Sequence, residues 1–309
     1  MNIAIFGWYH HRNAGDDRIQ QCLTRWLDGH TLAFLPAGRR PPVHLLRTYD
    51  AAILGGGGII QTQGGMFRDM ARWVRAAGIP VALAGVSVER MTPELRDELR
   101  AFLDVCSFAW FRDRGSLEEV GEHPRAFVAP DATWLYPFAP AAEEGEGVAV
   151  TSADLAVPGI PVHPWPLYFE NGGDAAAFNP APEELDLEPA RRAAAVLTRR
   201  FHGLLFAIQL GRPALVVSET PKVRRFLEDN GLQDWQLRGD LVSSWPAFVE
   251  RWPRMRMEAL RLRERLRDEV REKTAPARER LLSDAAALPP PGRRIRNRLR
   301  EMLDLGSWI

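Results

Sequence analysis

Ala51-Ala52-Ile53-Leu54-Gly55-Gly56-Gly57-Gly58 is a short apolar run that ends in four glycines. A run this short, closed by glycine, reads as a buried strand rather than a helix. Two similar runs precede it: Asn2-Ile3-Ala4-Ile5-Phe6, ending in Gly7, and residues 31–35. Residues 17–27 lie between those two and have helical periodicity. Beyond the glycines the alternation continues, with a helix over 67–77 and a strand over 80–86. Thr92-Pro93 opens a further helix with a hydroxyl cap and proline at the first helical position, running to about Val105. A strand follows over 108–111. Ser116 with Glu119 forms a capping box for the next helix, and 126–128 is the last strand of this half. Apolar strands alternating with helices imply a parallel sheet covered on both faces.

Residues 137–147 (PFAPAAEEGEG) have no apolar periodicity and read as a linker. A second alternating half then begins at Val148-Ala149-Val150. It has strands near 160–162 and 194–197, a helix over 202–210, a strand over 213–217, and a helix opened by Thr220-Pro221 that ends near Asn230-Gly231. Residues 246–282 are helical and charged, with Ala259, Leu262, Leu266 and Val270 forming a stripe that packs on the body and Pro276 interrupting the helix. The expected domains are therefore 1–140, a shortened 147–245, and a helical tail over 246–309. In 292–309, Ile295, Leu299, Met302 and Leu303 share one face and five arginines lie elsewhere. Docking on the first half is the expectation for this segment; peripheral contact with the inner face of a membrane is the alternative.

The 309 residues suffice for two ordinary domains, and Lys+Arg and Asp+Glu are both 40, so no nucleic-acid partner is expected. The charge is unevenly spread. Residues 251–309 carry sixteen basic and nine acidic groups, which leaves the body mildly acidic. Two cysteines, Cys22 and Cys106, read as small buried hydrophobes and exclude a disulfide framework. The start MNIAIFG lacks a basic n-region and no stretch approaches about 20 apolar residues, so a cytoplasmic protein is expected. The oligomeric state is open, a homo-oligomer included.

The chemistry-bearing residues fall at the C-terminal ends of strands, where open α/β sheets bind ligands. Gly7-Trp8-Tyr9-His10-His11-Arg12-Asn13-Ala14-Gly15-Asp16-Asp17 follows the first strand. Asn13 or Asp16 caps the next helix, and the other is free to face a cleft. His10 and His11 have no partner at metal-ligand spacing, so no metal site is expected. The four glycines permit close approach of backbone to an anion, although Ile60 breaks the dinucleotide fingerprint. Thr198-Arg199-Arg200-Phe201-His202-Gly203 places two arginines and a histidine at the start of an apolar helix, which is an anion site. Lys222, Arg224 and Arg225 crowd a second helix start, where cations oppose the helix dipole unless an anion is bound. Arg112 ends a strand facing the same crevice, and Asp131 after Pro130 is a candidate acid or base.

In this order, these stretches resemble the polysaccharide pyruvyl transferase family. The matching residues are Gly7, Asn13, Gly15 and Asp16; the run 54–60; Arg112-Asp113 with Ser116; and Pro130-Asp131. Arg200-Phe201-His202 follows with Phe206-Ala207-Ile208 and Gly211-x-Pro213, then Lys222, Phe226 and Gly231-Leu232. The resemblance covers about 1–232. It implies an α/β fold of two Rossmann-like domains facing a cleft, as in GT-B glycosyltransferases. It further implies phosphoenolpyruvate as co-substrate, with no other cofactor, and a pyruvate ketal on a sugar, glycan or lipid-linked glycan. Carried over, the catalytic set is His202, Arg200, Asp16 and Asp131. The substrate-binding set is Asn13, Gly15, Gly56, Gly57, Gly58, Arg112 and Lys222. In that scheme His202 is the general acid, and Asp16 or Asp131 deprotonates the acceptor hydroxyl. The sequence departs from the family in three places: Phe201 replaces a leucine, Thr151-Ser152 stand where an arginine is usual, and the span between Val148 and Arg200 is short and rich in Pro158, Pro161, Pro164, Trp165, Pro166 and Tyr168. A sugar-nucleotide glycosyltransferase and a non-catalytic family member are the rival readings.

Overall fold

A computed structural model describes residues 1–9, 11, 13–36, 41–61, 64–142, 144–155, 157, 159–167 and 184–290. The helix read over 292–309 lies outside the described residues, as do His10, Arg12, Pro158 and Tyr168.

The first half is a six-stranded parallel sheet: β1 (Asn2–Gly7), β2 (Thr31–Pro36), β3 (Ala51–Gln61), β4 (Val81–Glu89), β5 (Cys106–Phe111) and β6 (Ala126–Val128), in the order β2-β1-β3-β4-β5-β6. Its helices are α1 (Ala14–Trp26), α2 (Val43–Leu46), α3 (Gly65–Ala77), α4 (Pro93–Leu103) and α5 (Arg114–Val120). The strands are buried along almost their whole length, and two separate apolar clusters line the two faces, as the continuous apolar runs require. The second half repeats the plan on a smaller scale. It comprises β7 (Val148–Val150), β8 (Val162–Pro164), α6 (Glu188–Arg192), β9 (Ala195–Thr198), α7 (Phe201–Gln209), β10 (Ala214–Val216) and α8 (Pro221–Asp229), with strand order β10-β9-β7-β8. Residues 137–147 carry no helix or strand among those described. In each sheet the strand order reverses once, between β1 and β3 and between β7 and β9. Loops leaving those adjacent strands diverge and open a crevice at each switch point.

Three local readings are corrected. The four glycines do not end β3; the strand runs through them to Gln61, pairing Gly55 with Ala84 and Gly57 with Val86 before the register shifts. Only Gly56 and Gly57 need the left-handed backbone, at φ 81° and 80°. Asp113, not Ser116, caps α5, accepting the Ser116 N–H at 2.7 Å and the Ser116 hydroxyl at 2.9 Å. Glu119, read as the far side of a capping box, instead pairs with Arg225 of the second half. Finally, Pro276 does not interrupt the last helix. That helix, α9 (Leu241–Ala286), begins earlier than its sequence suggested and carries Pro246, Pro253 and Pro276 in its interior. An internal proline costs about 3 kcal/mol. Thr274, Ala277, Leu281 and Ala285 are all buried around Pro276, and that packing holds the helix together.

At about 1.5 Å per residue, its 46 residues span roughly 70 Å. It crosses from one half to the other. Arg251 Nη1 donates to Asp234 O at 2.7 Å, Arg263 Nε to Gln209 O at 3.0 Å, Arg271 Nε to Leu135 O at 3.1 Å, and Ser107 Oγ to Asp284 Oδ2 at 2.6 Å. A second strap joins the halves directly: Arg225 on α8 donates to Val88 O at 2.8 Å and pairs with Glu119 and Asp113. No described helix is long and apolar enough to cross a membrane. Leu281, fully buried near the far end of α9, tests whether the helix clamps the first half. Leu281→Ala should destabilise the chain by about 2–5 kcal/mol, lowering Tm by several degrees in a thermal scan. An unchanged Tm would show that this end of α9 carries no stability.

Candidate active site

The loop after β1 is stitched to β3. Tyr9 Oη donates to Gly55 O at 2.9 Å, and a Cβ on Gly7 would lie 2.5 Å from both that carbonyl and the Tyr9 ring. Asn13 is the cap of α1: its Oδ1 accepts the Gly15 N–H at 3.1 Å, while its Nδ2 donates to Asp16 Oδ2 at 2.5 Å. Asp16, in the first turn of α1, is thereby aimed at the glycines, and a Cβ on Gly57 would come within 2.9 Å of Asp16 Oδ1. Burial pushes the Asp16 carboxyl up to about 8, against the opposing pull of Arg112 and Lys222.

From the second half, α7 starts at an unprotected end. Arg200 occupies its cap position and supplies no capping side chain. Thr198 Oγ1 instead fixes the turn, accepting the Arg200 N–H at 2.9 Å and the Thr151 hydroxyl at 3.0 Å. A side chain on Gly203 would strike that same oxygen, its Cβ at 2.3 Å. The turn throws His202 across the gap between the halves. The imidazole lies so close to Gly15 that a Cβ there would sit 1.8 Å from His202 Nδ1. Phe206 stacks behind it, with ring centroids 5.8 Å apart. His202 Nε2 is buried with no hydrogen-bond partner, 3.9 Å from Asp131 Oδ2, a distance for charge interaction rather than a hydrogen bond. Burial lowers the His202 pKa; the Asp131 anion opposes that shift, and Arg112 and Lys222 reinforce it.

Beneath the imidazole lies a buried ion pair. Arg112 Nη1 donates to Asp131 Oδ2 at 3.2 Å, and Nη2 to Ser87 Oγ at 2.7 Å. The guanidinium also lies over the Phe201 ring, 4.6 Å from its centroid. Asp131 accepts the Thr133 N–H at 3.0 Å. Burial opposes its ionisation, but His202, Arg112 and the Thr133 N–H outweigh burial and hold the carboxyl well below the usual range. Lys222 enters from α8, a second helix start without a side-chain cap, its pKa lowered by burial and by Arg112.

Asn13, Asp16, Gly57, Gly58, Arg112, Arg200, His202 and Lys222 line one cavity of about 370 Å³ between the halves. Gly15 lies behind the His202 ring. Gly56 faces the other way, where a Cβ would meet Ile19 at 2.6 Å, so its role is to let β3 pass α1 rather than to touch a ligand. Asp131 does not line this cavity but lines an adjoining one that shares Arg112, Phe201 and Lys222 with it. Asp131 accepts from Arg112 and lies 3.9 Å from His202 Nε2. Of the three cations at the start of α8, only Lys222 reaches the cavity: Arg225 straps the halves and Arg224 lies 3.9 Å from Glu228. Arg199, the other arginine of the expected anion site, lines it as well, as do Thr220, Trp8 and Glu89, which the sequence had not marked as ligand-binding. Glu89 ends β4, a position that the strand-end rule flags; Ser87 under Arg112 had no sequence signal.

The sequence model of the polysaccharide pyruvyl transferase family matches residues 9–221, more than half of the chain. The chain belongs to that family. The match takes in every cavity residue named above except Trp8 and Lys222. Comparison with curated proteins gives no match. Among solved structures, the glycotransferase of kitacinnamycin is similar over 91% of this chain and 98% of its own, with 14% identity and a TM-score of 0.50. A provisionally assigned UDP-N-acetylglucosamine 2-epimerase from Listeria monocytogenes is similar over 84% and 90%, with 9% identity and a TM-score of 0.50. At such identities the likeness is one of fold: this polysaccharide pyruvyl transferase family member has the GT-B-like arrangement of two α/β halves about a cleft. Among the described residues, no group of three or more His, Cys, Asp or Glu is placed to hold a metal ion.

The buried carboxyl of Asp16 gives a signed pH test. Between the ordinary value of 3.8 and the folded value of about 8, the unfolded chain gives up a proton that the folded chain keeps. Wild-type stability should therefore fall as pH rises through that window, while Asp16→Asn lacks this slope. Urea titrations should show the variant gaining on wild type by about 1 kcal/mol or more between about pH 5 and pH 8. Parallel pH profiles would place the Asp16 carboxyl in water rather than in the protein.

Proposed function

We propose that the chain transfers the pyruvyl group of phosphoenolpyruvate to two hydroxyls of a sugar, closing a cyclic ketal and releasing phosphate. The observation that carries this reading is the convergence of Arg112, Arg200, Lys222 and two uncapped helix starts on a small cavity that also holds Asp16 and His202. Three cations and two positive dipole ends suit a compact donor bearing a carboxylate and a phosphate. A nucleotide sugar is the weaker reading, since a cavity of about 370 Å³ lies near the lower end of ligand pockets and four cations, Arg112, Arg199, Arg200 and Lys222, line it.

The shifted acidities exchange the roles that the sequence suggested. Asp16, protonated near neutrality, delivers its proton to the donor methylene carbon. The adjacent carbon becomes electrophilic and forms a bond to an acceptor oxygen, whose proton passes to neutral His202. The carbon–oxygen bond to phosphate then breaks, with Arg200 and Lys222 meeting the charge on the departing group. A second sugar hydroxyl adds to the same carbon and passes its proton to the Asp16 carboxylate, which completes the ketal and restores that acid, while protonated His202 gives its proton to the released phosphate. Protons and charge balance without a metal or redox cofactor. Arg112, already committed to Asp131 and Ser87, is a fixed positive charge rather than a mobile clamp.

A phosphate-release assay with phosphoenolpyruvate across a carbohydrate panel tests the reading. His202→Ala and Arg200→Ala should keep the wild-type Tm and lose at least about 100-fold in turnover. Wild-type turnover in both would remove these residues from the chemistry, and no phosphate release with any acceptor would sink the transferase reading. Gly15→Ala gives an independent check, because its new methyl group occupies the space of the His202 ring. Its activity should fall as far as that of His202→Ala with the imidazole still present in the chain. A Gly15→Ala protein of normal activity would show that the ring need not sit where it does.

A further inference from the structure

The cavity has a second character that the donor does not use. Its floor is charged, but Trp8, Ile59, Met66 and Leu167 also line it, and a three-carbon trianion has no use for apolar wall. Trp8 stands apart among these. It follows β1 at the switch point of the first sheet and is 39% exposed, an unusual state for an indole. Yet it is held in place: the His11 ring stacks against it with centroids 3.8 Å apart and planes 16° apart. Burial lowers the His11 pKa, which favours the neutral ring as stacking partner. An exposed aromatic face, immobilised from behind and bordering a cleft, fits a ligand with a flat apolar surface and polar edges. The axial C–H groups of a pyranose ring form such a surface, and its hydroxyls would turn outward to Asn13, Gln61 or Glu89 on the cavity wall.

We propose that Trp8, braced by His11, is the platform on which the acceptor sugar ring stacks. The inference rests on the transferase reading and adds the acceptor's place to it: the ring lies over the indole, with its reacting hydroxyls directed toward the charged floor. Rigid aromatic surface presented in advance loses little freedom on binding, and the brace matters for that reason.

Saturation-transfer NMR with the full chain, using the methyl glycosides of glucose, galactose and mannose as probes, tests this separately from turnover. At least one glycoside should receive saturation at its ring C–H protons. That signal should fall by about five-fold or more in Trp8→Ala, and less in Trp8→Phe and His11→Ala. Phosphoenolpyruvate affinity by calorimetry should change by less than about two-fold in the same variants, since the cationic floor is intact. Glycoside signals that persist in Trp8→Ala, or no glycoside signal from wild type, overturn the proposal. A Trp8→Ala protein that loses phosphoenolpyruvate instead of glycoside also overturns it, by moving the indole into the donor's place. Wild-type protein that binds glycoside at Trp8 but no phosphoenolpyruvate would refute the donor and leave the platform standing. The Trp8→Phe variant guards against a folding defect, because it keeps an aromatic ring on His11.

Discussion

The Arg112–Asp131 pair lies where the two halves meet, and the rest of the site is arranged around it. A guanidinium buried at the end of β5 is tolerable only with a partner, and breaking such a pair costs about 3–5 kcal/mol. Asp131 is that partner, and its own position is set by the turn after β6, where Thr133 gives it an N–H. The pair is not closed on itself. One Asp131 oxygen faces both Arg112 and His202, so a residue of the first half sets the charge felt by a residue of the second. The cleft is thus an electrostatic joint as well as a space.

That joint concentrates positive charge in a region poor in water. Arg112 makes Lys222 and His202 harder to charge, Lys222 does the same to His202, and burial pushes the Asp16 carboxyl up to about 8, against its neutralising them. Such an arrangement is unfavourable in itself, and a bound anion would relieve it. The surrounding structure tolerates it because the halves are held together elsewhere. Arg225 ties α8 to Glu119 and Asp113, Ala14 N donates to Leu167 O at 3.2 Å, and α9 runs the length of both halves. Lys222 is one of only two lysines in the chain. The compact, strongly hydrated ammonium at that position contrasts with the arginines used for the straps, where a planar fork reaches several oxygens at once.

Much of this was legible in advance. Short apolar runs mark all ten strands, eight of them within two residues at each end, because a strand buried on both faces has no polar positions to confuse the pattern; β3 and β4 continue seven and three residues past the ends that the runs suggest. The start of α7 is readable because Arg200 stands just before, and His202 in the first turn of, a helix that is otherwise almost wholly apolar. Misreadings came where a distant partner outbid a local rule. Glu119 follows Ser116 at capping-box spacing, but Arg225, more than a hundred residues away, takes it. Pro276 carries a breaker's signal, but the buried residues around it outweigh the lost hydrogen bond. The glycines of β3 look like a turn, but β4 alongside keeps them in the sheet.

Sequence alone determined the α/β class, the two-half plan, the strand ends that carry polar residues, and the identity of most groups in the cleft. These follow from short-range pattern: the period of burial and the conformations open to glycine and proline. Only the tertiary structure decided which charges are used and which are spent. Arg112, Arg225 and Asp131 are alike in sequence as polar residues near element ends, and it is packing that makes one a cleft charge, one a strap and one a buried counter-ion. The same holds for Asp16, whose acidity depends on how completely Gly57, Asn13 and the second half exclude water from it. Desolvation and pairing act through space, over distances that the order of residues along the chain does not encode.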